Sequence, residues 1–355
     1  MPFLYLGHAF SLLNSFSMKK WPFTILLLLT IIACQETIVL DPDRHFELME
    51  APEGFPDMPV PDNNTFSQAR WDLGKKLFFD PVMSVDSSIS CASCHKPSLA
   101  FSDNLRFSPG VENRPGVRNS PSLANVGYHP YFTREGGVPT LEMQVFVPIQ
   151  EHNEFAFNMV LLARRLEADS TYVRMAREAY NREPDAFVIT RSLACFERSL
   201  ISGYSPYDQY VSYDNTKALS KAQQRGMDLF FSDKTNCSSC HGGFNFTNYE
   251  FENNGLYDEY ADVGRLRLTG DEADRALFKV PSLRNIALTA PYMHDGSMNS
   301  LSRIVAHYVS GGADNPQKNP LIRPLTLTGQ EQDDLVEFLT SLTDETFVQN
   351  PLFSN

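Results

Sequence analysis

Two stretches decide how this chain is read: Cys91-Ala92-Ser93-Cys94-His95 and Cys237-Ser238-Ser239-Cys240-His241. Both are C-x-x-C-H, the pattern through which a c-type haem is attached. Two thiols on one turn can reach the two vinyl groups of a single porphyrin. The His that follows then lies under the iron and binds it axially. A redox dithiol has no need of that His. Zinc pairs lie about 15–20 residues apart, whereas positions 94 and 237 differ by 143. The reading is two covalent haem c groups, carried on His95 and His241. Cys195 falls on an apolar helical face with Leu193, Phe196 and Leu200 and reads as a core thiol.

Working outward, the surroundings of the two stretches repeat. Gln68-Ala69-Arg70 leads to Leu77-Phe78-Phe79-Asp80 before the first, and Gln223-Gln224-Arg225 leads to Leu229-Phe230-Phe231 before the second. In each half a glycine, Gly74 or Gly226, stands three residues before the Leu-Phe-Phe. That is one unit used twice. Helical periodicity runs from Phe66 to Leu77, with Thr65 or Ser67 as N-cap, and recurs over 159–180, 187–200, 218–231, 301–309 and 330–342. Residues 104–137 are punctuated by Pro and Gly and read as loop. Strand signals are weak. The expectation is an all-α fold of two cytochrome c-like domains with long loops, at 65–203 and 204–345.

The chain has 355 residues, 42% apolar and 21% charged, with net charge −13. That composition is globular, and the acidity argues against nucleic-acid binding, which needs a basic face. At the N-terminus Lys19 and Lys20 precede an apolar run from Phe23 to Ala33, which is too short to span a bilayer. Ile31-Ile32-Ala33-Cys34 is similar to a bacterial lipobox. Residues 1–33 therefore read as a lipoprotein-type signal peptide, Cys34 as the lipidated first residue, and 34–64, rich in Pro, Asp and Glu from Asp41 on, as a tether. The implied location is the periplasm or cell envelope, outside the cytoplasmic membrane, with the lipid anchor as the only membrane contact.

The chain resembles the bacterial di-haem cytochrome c peroxidases and their MauG-like relatives. The stretches that carry the resemblance are Arg118-Asn119-Ser120-Pro121-Ser122-Leu123, Gly137 to Gln144 (GVPTLEMQ), Pro148 to Glu154, and Phe278 to Gly296 (FKVPSLRNIALTAPYMHDG). The resemblance implies a peroxide site at the first haem and an electron-transferring second haem. It implies Glu154 as the catalytic acid–base and Gln144 as the distal amide beside it. It also implies a calcium ion between the domains, held by the Asn119 side chain and by backbone carbonyls at Thr289 and Pro291. A homodimer follows from the same analogy.

Three departures from the family stand out. No His occurs between Lys96 and Gly127, where many relatives carry one that blocks the first iron. The first haem is therefore expected to be five-coordinate as isolated. Fourteen positions after His294, where the usual peroxidases have Met, stands Tyr308, as in MauG-like proteins. A phenolate there favours the oxidised states of iron. Met293, Met298 and His307 are the rival ligands, and a packed helix aromatic is the plain alternative. His294 itself reads as a residue that hydrogen-bonds a haem propionate or orders the interdomain region. Finally, Arg134 stands where relatives place a Trp between the haems. Electron exchange would then pass by Tyr131, Phe132 or a short edge-to-edge gap.

Three functions fit these residues. One is reduction of hydrogen peroxide with electrons from a small cytochrome c or cupredoxin. The second is peroxide-dependent, MauG-like oxidation of a partner protein or small molecule. The third is passive electron carriage, which needs neither an open iron nor a distal acid.

Overall fold

The computed structural model describes residues 48–355. The expected signal peptide, Cys34 and the start of the tether lie outside the described residues. None of the described helices is long and apolar enough to cross a membrane.

The chain order is α1 (Gln68–Phe79), α2 (Cys91–Cys94), α3 (Leu141–Gln144), α4 (Phe146–Gln150), α5 (Met159–Glu167), α6 (Ser170–Tyr180) and α7 (Ala186–Arg198). After these come α8 (Pro206–Ser212), α9 (Lys221–Phe230), α10 (Cys237–Cys240), α11 (Leu266–Thr269), α12 (Leu301–Ser310), α13 (Gly329–Thr340) and α14 (Glu345–Val348). Among the described residues the sheet content is one pair of two-residue strands, β1 (Phe251–Glu252) and β2 (Phe278–Lys279), antiparallel with Phe251 opposite Lys279. The fold is all-α, as expected.

The helix starts follow local chemistry. Ser67 caps α1, its Oγ accepting from the Arg70 amide at 3.4 Å, which settles the choice between Thr65 and Ser67. The single helix expected over 159–180 is two. Asp169 breaks it, because its Oδ1 accepts from the Thr171 amide at 2.8 Å and caps α6. Asp185 caps α7 in the same way through the Val188 amide.

The repeat in sequence is a repeat in packing. In the first half α1 lies on α7, and in the second half α9 lies on α13. Gly74 and Gly226 are where those helices touch. A Cβ on Gly74 would fall 1.9 Å from the Ser192 carbonyl oxygen, and one on Gly226 would fall 1.9 Å from that of Asp334. Neither glycine is there for an unusual φ; each permits close backbone approach. Around these pairs sit the two larger hydrophobic cores. One holds Phe78, Phe101, Leu162, Ile189 and Phe196, and the other holds Phe230, Phe246, Leu335, Phe338 and Leu342. Trp71, the sole Trp of the described chain, belongs to the first core and donates from Nε1 to Ser199 Oγ at 2.8 Å. Cys195 is buried in that core too.

Two segments depart from expectation. Residues 48–64 are no free tether. Phe55 packs against Tyr128 and Phe244 with the Arg284 guanidinium over its ring, and buried Asn64 donates to Glu142 Oε1 at 2.8 Å. Aromatic and amide groups spaced through a polar run were enough to bind it down. At the other end, the tail beyond position 345 returns to the first core, where Phe347 and Phe353 meet Phe101.

Candidate haem sites and the seam between them

Each C-x-x-C-H stretch forms a single helical turn whose end presents the His. In α2 the Ser90 amide donates to Ser93 Oγ at 3.0 Å, and the His95 amide closes the turn on Cys91 O at 2.9 Å. His95 Nδ1 lies 2.8 Å from the Phe101 carbonyl, which accepts only from a protonated nitrogen. The proton is thereby assigned to Nδ1, and Nε2 keeps a free lone pair. The second site copies this, with His241 Nδ1 3.1 Å from Phe246 O. Burial pushes both imidazoles below their usual range, so both are neutral donors at pH 7. Neutral imidazoles with a free Nε2, each preceded by two free thiols on the same turn, fit haem iron and two thioether bonds. All four of these thiols are free, as is that of Cys195.

The first site has an acid beside it. Glu154 ends a turn after α4, its amide donating to Glu151 O at 3.0 Å and its own carbonyl accepting from the Val111 amide at 3.0 Å. Its surface is accessible, yet the surrounding protein desolvates the carboxyl and lifts it to about 7, with Glu151 adding repulsion. Burial raises both thiols of α2, and the charge of Glu154 adds a smaller push in the same direction. Gln144, at the end of α3, has a buried Oε1 without a hydrogen-bond partner among the described residues. A buried acceptor in that state is waiting for a donor. The bond between Val111 and Glu154 also pins the His-free loop that follows α2 against the back of the acid.

Tyr308 on α12 faces the second site. Burial pushes its hydroxyl up to about 12, Asn254 hydrogen-bonds it, and Cys237 and Cys240 both bear on it. Two of its rivals are engaged elsewhere: His307 Nε2 is 3.0 Å from Asn254 O, and Met293 Sδ accepts from Asn254 Nδ2 at 3.2 Å. Met298 packs on the second core. His294 lies between Phe278 and Tyr260. Its ring stacks on Phe278 with centroids 4.2 Å apart, and its carbonyl accepts from the Asn119 amide at 3.1 Å. Burial holds its imidazole down at about 4. Through the His294 carbonyl this segment is joined to Asn119 of the first half.

The seam is ionic. Arg118 pairs with Glu135 at 2.6 Å in its own half and reaches Asp262 of the other half, again at 2.6 Å. Arg106 reaches across to Asp295. Arg134 is half-buried here, its Nη2 donating to Asn119 O at 2.8 Å. Thr289 and Pro291 lie in the same segment as His294, and the Ala290–Pro291 peptide is cis. Tyr131 donates to Tyr249 O at 2.7 Å and stacks on Phe251, so it too bridges the halves.

Two residues escaped the sequence reading. Asn254 touches Met293, His307 and Tyr308, yet Asn253-Asn254-Gly255 looks like an ordinary turn. Glu197 lies on α7, lifted to about 8 by burial against the opposing pull of Arg198, and it bears on Cys91. The available signal was an acid within the otherwise apolar run of that helix.

A pair of c-type attachment turns, each in its own small helical unit, defines a two-haem cytochrome. The comparisons agree. The family described as di-haem cytochrome c peroxidase matches residues 68–216, and that described as cytochrome c matches 223–343. Methylamine utilization protein MauG of Methylorubrum extorquens is 36% identical over 292 residues, covering 81% of this chain and 82% of that protein. Cytochrome-c peroxidase IdrP1 of Pseudomonas sp. (strain SCT) is 31% identical, covering 81% and 84%. A crystal structure of a MauG-like protein associated with microbial copper homeostasis superposes with a TM-score of 0.81 at 33% identity, covering 86% of this chain and 98% of that one. The chain belongs to the di-haem cytochrome c peroxidase family, which includes the MauG-like proteins. It is a di-haem oxidoreductase of the peroxidase type, with two haem c groups as cofactors.

Proposed function

We propose that hydrogen peroxide is reduced at the first site, held by Cys91, Cys94 and His95, and that the second, held by Cys237, Cys240, His241 and Tyr308, exchanges electrons with the outside. The observation that carries this is the raised carboxyl of Glu154, whose charge acts on both thiols of α2. Haem bound through Cys91, Cys94 and His95 would supply the iron that meets peroxide and the electrons that break its O–O bond. The chain supplies the proton traffic. A carboxyl near 7 is part ionised at neutral pH, so Glu154 can take the proton of the inner peroxide oxygen and return it to the outer one as water leaves. Gln144 Oε1 accepts from the peroxide hydroxyl and fixes its orientation. Two electrons and two further protons complete the conversion of one peroxide to two waters.

The electrons come from a small cytochrome c or cupredoxin. A second reading, peroxide-driven oxidation of a partner protein or small molecule, is favoured by Tyr308, because a phenolate ligand would favour the oxidised states of the iron where a Met would not. Passive carriage leaves Glu154 and Gln144 without a task. Low-temperature EPR of the ferric holoprotein tests the assignment: one high-spin and one low-spin haem are expected, with peroxide changing the optical bands at once. Two low-spin haems and a spectrum indifferent to peroxide would refute it. Steady turnover with a reduced cytochrome then separates peroxidase from partner oxidation. The signal and lipobox readings place the enzyme outside the cytoplasmic membrane on a Cys34 lipid, and Cys34→Ala should release it from membranes.

A further inference from the structure

The seam between the halves is where the resemblance places calcium, on Asn119, Thr289 and Pro291. The groups present there do not suit that ion. Asn119 is already spent on protein partners. Its side-chain nitrogen donates to Leu105 O at 3.1 Å, its backbone amide to His294 O at 3.1 Å, and its carbonyl accepts from Arg134 Nη2 at 2.8 Å. The atom a metal would need, Asn119 Oδ1, lies 3.5 Å from that same guanidinium nitrogen. An ion at a normal calcium–oxygen distance from Oδ1 would sit within about 6 Å of Arg134. With its amide nitrogen turned towards them, Asn104 donates to the carbonyls on either side of Thr289, those of Leu288 at 3.1 Å and Ala290 at 2.9 Å.

Charge tells the same way. The acids of the seam are Glu135, Asp262 and Asp295, and each is paired: the first two with Arg118 and Arg267, the third with Arg106. Adding Arg134, four guanidiniums face three carboxylates, so no negative excess remains to draw a divalent ion. Among the described residues no group of three or more His, Cys, Asp or Glu is arranged to hold a metal. Arg134 stays charged: burial and Arg118 lower it only to about 10.

We propose that the Arg134 guanidinium is the resident cation of this seam, fastening Asn119 of the first half beside the His294 segment of the second, and that the protein takes up no calcium there. This is independent of which haem meets peroxide.

The test uses purified holoprotein. Metal analysis after desalting should find well under one calcium per chain. Calorimetric titration with calcium chloride should give no binding heat, and the melting temperature should be unmoved by EGTA or millimolar calcium. Arg134→Gln should melt several degrees lower and regain part of that loss on adding calcium, which the emptied seam can then admit. Arg134→Lys, which keeps a cation, should fall between the two. Stoichiometric calcium in the wild-type protein, or a melting temperature or haem spectrum that responds to EGTA, would overturn the proposal. So would an Arg134→Gln protein that melts like the parent. If Arg134→Gln fails to fold, the wild-type calcium content and the Arg134→Lys melt still decide.

Discussion

Glu154 shows how one side chain can be set for a task at some cost to the fold. Its carboxyl is lifted from the ordinary value near 4.3 to about 7, chiefly by desolvation. Folding therefore favours the protonated form. That contribution is whole below about pH 4 and is lost as the pH rises through 7. Glu154→Gln should accordingly be no less stable than the parent at pH 8, with the difference vanishing below about pH 4 in a series of urea melts. The same substitution should slow the reaction with peroxide by roughly 10²–10⁴-fold. It should also erase a rise in rate between pH 6 and 8, which stopped-flow absorbance would record. Stability and rate moving in opposite directions would separate a working acid from a structural one. Tyr308 makes a parallel case. Tyr308→Phe should move the potential and spectrum of one haem and leave the other in place, and no change in either would return Tyr308 to the core.

Among the elements, the paired helices carry the sharpest expectation. Gly74 and Gly226 each sit under a carbonyl of the facing helix, with 1.9 Å for a Cβ that is not there. An alanine must push the helices apart, and backbone cannot yield as a side-chain tip can. Either Gly→Ala change should cost roughly 1–3 kcal/mol or more in thermal or denaturant unfolding, although in an exposed helix the same change would stabilise by about 1 kcal/mol. The first-half change should disturb the haem on α2 before the one on α10, because α1 leads directly into it. A loss confined to the opposite haem would contradict this pairing of helices.

For the whole molecule, the tail is the unexpected strap. Phe347 and Phe353 leave the second half and enter the first core beside Phe101, the residue whose carbonyl orients His95. Phe353→Ala should cost roughly 3–5 kcal/mol. It should also broaden the spectrum of the first haem, since the loop holding His95 loses its backing. A truncation after residue 345 with an unchanged melt would show that the strap is ornamental.

Much of this was legible from residue identity alone. The two C-x-x-C-H stretches fix the chemistry because thioether attachment requires those atoms at that spacing. The doubled Gly and Leu-Phe-Phe pattern showed two copies of one helical unit. Caps such as Asp169 were missed because a polar residue inside an amphipathic run has no mark of its own until its side chain turns back on the backbone. What only the folded chain decided lies in contacts between distant residues. Position 254 meets 293, 307 and 308; the tail meets position 101; and Arg134 meets Asn119. Long-range packing and desolvation set those meetings, and neither is written into local spacing.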